Sequence, residues 1–378
     1  MEVIVGELVE VRDKYKEPRR TEIVAAEAEI NLEDLVQEED MVVTISHAGY
    51  IKRTPSSTYR AQRRGGRGKM GMEAREEDFV KQLFVASTHA YVFFFSDRGK
   101  LYVKKVYEIP AAARNAKGRA IVNLVGIDPT ERIAAITPIV EMRPDSYIVT
   151  VTQRGQVKKT ELSEYENFRE KGIIGVKIEE GDELLGAALT DGTSEVIIAT
   201  KQGMSIRFDE KQVRAMGRAT VGVRGIDLSE GDEVVGLGVT SAPDMQVLAV
   251  CANGYGKRTP LSEFRPQNRG GKGIILIDAS ERNGPVVGIA LVREDEELML
   301  VTDRGQTLRT KVSEIRETGR NAQGVRLMTL EEGERVVAIE SLAESDEASP
   351  SGSPEGPSLA PLNGASGDGG ADPPENVN

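Results

Sequence analysis

Six times along the chain an apolar stretch runs into a small residue, two variable residues and a glycine, then into a second stretch ending in basic residues. The turns are Ser46-His47-Ala48-Gly49, Ser96-Asp97-Arg98-Gly99, Thr152-Gln153-Arg154-Gly155, Thr200-Lys201-Gln202-Gly203, Cys251-Ala252-Asn253-Gly254 and Thr302-Asp303-Arg304-Gly305. Their glycines are separated by 50, 56, 48, 51 and 51 residues. A second glycine follows each: Gly68, Gly118, Gly172, Gly222, Gly273 and Gly324, offset by 19 residues in five repeats and by 17 in the third. A fixed internal period of this kind signals a repeat architecture. Flanking runs such as Met41–Ile45, Tyr147–Val151, Glu195–Ala199 and Gln246–Val250 are short and β-rich. Each turn reads as a β-hairpin whose glycine takes a positive φ. A mostly-strand unit of this length is the size of one blade, so six units predict an all-β, propeller-like ring whose closure protects the sheet edges. A linear solenoid fits less well, because the unit is long for a single coil.

The ends differ from the repeats. Residues 1–30 open with apolar residues at Ile4, Leu8, Val11 and Tyr15, the spacing of one helix face, with Pro18 as its stop. Residues 341–378 are rich in Ser, Gly, Pro and acids, and are expected to be a disordered acidic tail. The expected division is therefore 1–30, the end of a preceding helical region and its linker; 31–340, the six repeats; and 341–378, the tail.

Charge by itself points away from a polyanion. The 378 residues carry 49 basic and 61 acidic side chains, a net charge of −12. The tail holds seven of the acids and no Lys or Arg, which leaves 54 acids against 49 bases elsewhere. Placement must decide the partner. A single cysteine, Cys251, excludes an intramolecular disulfide and fits a reducing compartment. No run of about 18 apolar residues is present, and the N-terminus lacks the pattern of a signal peptide. A cytoplasmic, nucleoid-associated protein is expected, with no membrane contact.

The most specific segment is Gln62-Arg63-Arg64-Gly65-Gly66-Arg67-Gly68, between the two reference glycines of the first repeat. Glycines let backbone N–H groups approach phosphate, and Arg offers forked donors that match phosphate oxygens. Nothing there selects a base edge, so contact should be sequence-independent. A solvated flexible loop is the bland alternative. The motif nearly recurs in the fifth repeat as Gln267-Asn268-Arg269-Gly270-Gly271-Lys272-Gly273, where Asn268 replaces a basic residue and makes this copy auxiliary. Eroded forms are Ala113–Gly118 and Gly319–Gly324.

A second basic series follows the hairpin glycines: Lys52 and Arg53, Lys104 and Lys105, Lys158 and Lys159, Arg207, Lys257 and Arg258, and Arg309. One such pair is an ordinary solvated strand end. Six at repeat spacing predict a basic belt, while the acidic turns Glu180–Glu183, Glu230–Glu233 and Glu331–Glu334 recur at another phase and should lie elsewhere. These basic residues and the two Gln-to-Gly loops are the candidate DNA-binding residues.

The Gln62–Gly68 loop resembles the signature box of the DNA gyrase A C-terminal domain, and Glu17-Pro18-Arg19-Arg20-Thr21-Glu22 resembles the junction leaving that protein's breakage-reunion region. The resemblance covers roughly residues 31–340. It implies a six-bladed β-pinwheel, a propeller variant with strands exchanged between blades, whose rim wraps duplex DNA to direct negative supercoiling. It also implies the gyrase A breakage-reunion domain and gyrase B as partners in an A2B2 enzyme. ATP and magnesium are then expected only in those partner regions, with no cofactor or metal in this chain. The topoisomerase IV C-terminal domain, with the same scaffold and usually a degenerate box, is the alternative within the class. A protein-interaction propeller is the alternative outside it.

Other signals carry little. Gly66-Arg67-Gly68-Lys69-Met70-Gly71 fits GxGxxG but lacks the strand–turn–helix setting of a dinucleotide site. His47 and Cys251 fall in turns and read as structural. Tyr59 is not expected to cleave DNA, since 30 upstream residues cannot hold a breakage-reunion domain. No nucleophile, base or metal cluster supports a catalytic role.

Overall fold

The computed structural model describes residues 2–17, 32–58, 80–113, 116–128, 130–304 and 306–342. Each blade starts from the hairpin that the turn motif predicts. In the first blade Asp40–Ser46 pairs antiparallel with Tyr50–Pro55, and the amide of Gly49 closes the turn on the carbonyl of Ser46 at 3.0 Å. Gly49, Gly99, Gly155, Gly203 and Gly254 all have φ between +78° and +87°, so a Cβ at these positions would be strained. The small first residue has its own reason. Its hydroxyl accepts the amide four residues on, as in Ser46 from Tyr50 (3.1 Å), Thr152 from Gln156 (3.2 Å) and Thr302 from Gln306 (3.1 Å).

A third strand returns along the first strand of the hairpin. Val80–Ser87, Ile133–Ile139, Leu184–Thr190, Val234–Thr240, Val286–Val292 and Val336–Leu342 play this part in blades one to six. The second to sixth of these strands are successive neighbours, Gln82 Nε2 of the first donates to the Ile136 carbonyl of the second at 3.4 Å, and Val336–Leu342 lies against Val80–Ser87, so the ring closes on itself. A fourth, two-residue strand is borrowed from the next repeat. Arg119–Ala120, Ile173–Ile174, Val223–Arg224, Ile274–Ile275 and Val325–Arg326 complete blades one to five, and the sixth counts three strands among the described residues. Strand exchange between blades is thus part of the observed all-β, six-bladed fold.

The second fixed spacing follows from this exchange. Gly118 (φ +83°) and Gly324 (φ +84°) sit on the preceding blade so closely that a Cβ would come within 2.5 Å of the Ile51 and Gly256 carbonyl oxygens. Only glycine lets the chain pass there and begin the borrowed strand.

Burial explains the near-continuous apolar runs. Along Tyr91–Ser96, Val92 and Phe94 point into the core shared with the first blade, and Phe93 and Phe95 into the core shared with the third. A strand buried on both faces reads as unbroken hydrophobe, without alternation. Five such inter-blade cores are present among the described residues.

The N-terminal pattern does form a helix, Glu2–Tyr15, with Ile4, Leu8, Val11 and Tyr15 all exposed. Residues 343–378, which include nearly all of the expected tail, lie outside the described residues.

Candidate nucleic-acid interface

In blades one to five the borrowed strand is the edge strand of its sheet, opposite the strand that lines the ring, and the loop of the next repeat leads into it. The box itself, Gln62, Arg63, Arg64, Gly65, Gly66, Arg67 and Gly68, lies outside the described residues. Its fifth-repeat counterpart is described in full. The Gln267 amide donates to the Arg207 carbonyl (2.8 Å), and the Gly270 amide to the Gly225 carbonyl (2.6 Å). Gln212 holds the loop from below: its Oε1 accepts from the Arg269 amide (2.9 Å) and its Nε2 donates to the Gln267 carbonyl (3.0 Å). Gly270 (φ +79°) and Gly273 (φ +75°) take the left-handed bends, and Gly271 accepts from the Asp227 amide at 2.9 Å. Arg269 Nε donates to the Gln212 carbonyl (2.9 Å) and Nη1 to the Arg224 carbonyl (3.1 Å). Much of the donor capacity assigned to phosphate is therefore spent on the protein, and Lys272 is the exposed cation of this loop.

Arg269 stands four residues before the second glycine, where Arg218 and Arg320 stand in the fourth and sixth repeats. Their guanidiniums reach the carbonyls of Ile174 (3.3 Å) and Ile275 (3.1 Å). In all three repeats this arginine joins its loop to the strand borrowed by the blade two places before its own repeat.

The second basic series occupies places other than those expected. Strand pairing sets Arg53, Lys104, Lys159, Arg207, Arg258 and Arg309 opposite Val43, Val92, Val149, Ile197, Leu248 and Met299, one equivalent position per blade. Four of the six hold the short 3-10 turn of the next repeat. Arg53 Nε donates to the Ile109 carbonyl (2.7 Å), Lys159 Nζ to that of Glu210 (3.4 Å) and Arg207 Nη1 to those of Leu261 (2.7 Å) and Phe264 (2.9 Å). Arg258 Nε reaches the Ile315 carbonyl in the same way. Lys104 pairs with Glu108 at 2.8 Å, and Arg309 with Glu297. Lys105, one place further on, is bound to Glu33 (2.7 Å) and lies over the Tyr91 ring (3.9 Å).

Lys52, Lys158 and Lys257, one place nearer the turn, are at most 1% exposed. Burial pulls the Lys158 and Lys257 ammoniums down to about 8, with the positive charges of Arg218 and Arg320 acting in the same direction. The expected solvent-facing belt is corrected accordingly: most of this series fastens repeat to repeat. The physical reason is that the hairpin strand is buried on both faces, so its basic residues point into seams between blades.

Arg309 is the exposed member of this series, and further exposed cations recur on the exchanged loops. Lys117, Lys171 and Lys272 each precede a second glycine, the place of Arg67 in the box, and all three are exposed. Arg119, Arg224 and Arg326 are exposed on the borrowed strands themselves. Lys272 was already a candidate in the Gln267–Gly273 loop, and counting the repeats back from the second glycine adds Lys117 and Lys171 at the same place. The acidic turns gather at the hairpin-turn end of the blades. Asp182 accepts from the Arg154 amide and Asp232 from the Gln202 amide, each at 2.9 Å, and Glu334 accepts from the Thr302 hydroxyl at 2.6 Å.

Comparison with known proteins agrees with this architecture. The family described as DNA gyrase C-terminal domain, beta-propeller, matches six times, at residues 40–87, 90–139, 146–191, 194–241, 247–293 and 296–343. The gyrase A protein of Salmonella typhimurium is 47% identical over 344 residues, covering 91% of this chain and 39% of the relative. Its Escherichia coli equivalent is 45% identical over 331 residues, 88% of this chain and 38% of the relative. The chain thus spans about two fifths of the length of these relatives. Among solved structures, the C-terminal domain of DNA topoisomerase IV superposes with a TM-score of 0.71 at 28% identity, covering 81% of this chain and 94% of that one. The DNA gyrase A C-terminal domain superposes with a TM-score of 0.63 at 29% identity, covering 81% of this chain and 100% of that one. Six family matches on six observed blades place the chain in the DNA gyrase A C-terminal β-propeller family.

Proposed function

We propose that this chain binds duplex DNA along the outer edges of its blades, independently of sequence, and wraps it as the C-terminal part of a gyrase A protein to direct negative supercoiling. The observation that carries the reading is the recurrence of exposed cations on the exchanged loops and strands, Lys117, Lys171 and Lys272 with Arg119, Arg224 and Arg326, while the acidic turns collect at the hairpin ends. Bending about 40 bp through roughly 180° costs on the order of 10 kcal/mol, given a persistence length near 150 bp. That cost has to be met by phosphate contacts spread around an arc, as histones meet it with recurring arginines. One cationic station per blade has this distribution. The box residues Gln62–Gly68 supply the densest station of the series. The same reading assigns a gyrase A breakage-reunion domain and gyrase B as partners, ATP and magnesium to those regions, and a cytoplasmic location.

A topological footprint tests it: nicked plasmid is ligated with the protein bound, and its linking number is measured after the protein is removed. Handed wrapping shifts the linking number in proportion to bound protein. An unshifted distribution at saturation overturns the wrapping reading, and binding that ignores salt overturns DNA contact altogether. The higher TM-score against the topoisomerase IV domain favours a second reading, in which the domain bends DNA without wrapping it. Saturable, salt-dependent binding without a linking-number shift is the result that reading requires.

A further inference from the structure

The buried lysines alternate around the ring. Lys52, Lys158 and Lys257 pair across their hairpins with Thr44, Thr150 and Ala249 in blades one, three and five. At the same place in blades two, four and six stand Val103, Ile206 and Leu308, opposite Phe93, Ile198 and Leu300. The site accepts an aliphatic side chain, so an ammonium there needs a reason. Burying a charge costs several kcal/mol unless it is fully hydrogen-bonded.

Backbone carbonyls of the loop arriving from the next repeat accept from all three. Lys52 Nζ donates to Ala113 (3.3 Å) and Ala116 (2.9 Å), Lys257 Nζ to Gly319 (3.0 Å) and Arg320, and Lys158 Nζ to Arg218. In blades one, three and five, then, a buried cation gathers the carbonyls of the exchanged loop from beneath. The fourth-blade loop is held instead by the Gln212 side chain, opposite an apolar Ile206. The ring carries two ways of fixing one kind of loop.

We propose that Lys52, Lys158 and Lys257 are positioning residues, which set the exchanged loops of alternate blades in the shape that presents Lys117, Arg119, Arg224 and Arg326 to the DNA backbone. The proposal rests on the DNA reading above. The lysines themselves touch no phosphate, and the charge count of the contact surface does not include them.

The test replaces all three by Leu, the residue the sixth blade carries at this place, and in a parallel chain by Arg, which returns donors to the loops. Both are made in the 378-residue chain. Three quantities are read: the unfolding midpoint, the rate of trypsin cleavage after Lys117, Arg218 and Arg320, and affinity for a linear duplex of about 150 bp across a salt series. The Leu variant is expected to unfold no earlier than the parent, to be cleaved about tenfold faster, and to bind DNA about tenfold more weakly. Its log–log salt slope stays unchanged, because no phosphate-facing cation has been removed. The Arg variant is expected to recover both protection and affinity. Loops that remain protected in the Leu variant overturn the clamp. Loops released with affinity unchanged overturn its link to DNA. A parent chain that fails to bind the duplex overturns the function reading, while the cleavage rates still decide the clamp.

Discussion

Arg269 and Lys272 are three residues apart in a loop that looks uniformly cationic in sequence, yet their substitutions should act on different quantities. Arg269→Ala removes the Nε bond to the Gln212 carbonyl and the Nη1 bond to the Arg224 carbonyl, at 2.9 and 3.1 Å. A hydrogen bond from a charged donor contributes about 1.5–3 kcal/mol net. This loop is only half-buried, so water can satisfy the released carbonyls, and the lower end applies: roughly 3 kcal/mol for the pair. Lys272 is exposed, and its loss should change stability by no more than about 0.5 kcal/mol. On DNA the order reverses. Removing one phosphate contact lowers the slope of log affinity against log salt by about 0.9. Lys272→Ala should show that decrement, with all duplex sequences weakened alike. Arg269→Ala should leave the slope near the parent's, once measured well below its denaturation midpoint. Urea titration and filter binding across a salt series measure both quantities. A flattened slope in Arg269→Ala at parental stability would refute the assignment of Arg269 to the inter-blade seam.

Gly324→Ala puts a Cβ within 2.5 Å of the Gly256 carbonyl oxygen at φ +84°, so a loss of more than about 2 kcal/mol in urea titration is expected; an unchanged midpoint would sink the close-approach argument. Lys158 and Lys257 have native values of about 8 against an ordinary 10.5, so between those pH values the unfolded chain binds more protons and the native state gains stability as pH rises. Below about 8 both states are protonated and the buried charge is borne in full. A chain with both replaced by Leu should therefore hold its largest relative advantage at about pH 7 and lose part of it by about pH 10; a pH-independent difference contradicts the burial assignment. Replacing Gln62–Gly68 by alanines should abolish supercoiling but spare relaxation in reconstituted enzyme, and surviving supercoiling refutes the role of the box. The last strand runs to Leu342, so a tail deletion should begin at Ala343. Removing its seven carboxylates should raise DNA affinity most at low salt, and no change leaves the tail without a part in binding.

The fold was legible because two kinds of position tolerate little substitution. The turn glycines need a positive φ, and glycines such as Gly324 need the absence of a Cβ, so the period survives while the strands between them vary. Strand exchange was not legible from these residues: a two-residue strand such as Ile274–Ile275 has no pattern of its own and is defined by its partner, Met204–Ser205. The candidate surface was half legible. Basic residues at repeat spacing were visible, but composition does not say which face of a doubly buried strand they leave by. Lys52 and Arg53 look like a solvated strand end until the next repeat is laid over them. Lys272 was visible in the fifth-repeat loop, whereas Lys117 and Lys171 were not picked out, because the third loop is two residues short and the three align only when counted backwards from the glycine.

On the proposed reading, strand exchange also couples binding to the integrity of the ring. Each loop that presents a cation is the segment that fastens its repeat to the blade before it, and in the fourth, fifth and sixth repeats it carries an arginine to the borrowed strand one blade further back. Force applied to the loop by a bent duplex is therefore borne at the seams between blades, not inside any one sheet. On the proposed reading, about 10 kcal/mol of bending shared among six stations is close to 2 kcal/mol at each. That is comparable with one or two charged hydrogen bonds of the Arg269 type. Seam and bend are thus balanced in scale, so weakening a seam should let the ring yield to the DNA before the DNA yields to the ring. Arg269→Ala should accordingly reduce the linking-number shift per bound chain more than it reduces affinity, and equal losses in the two would show that the blades resist bending by their packed cores alone.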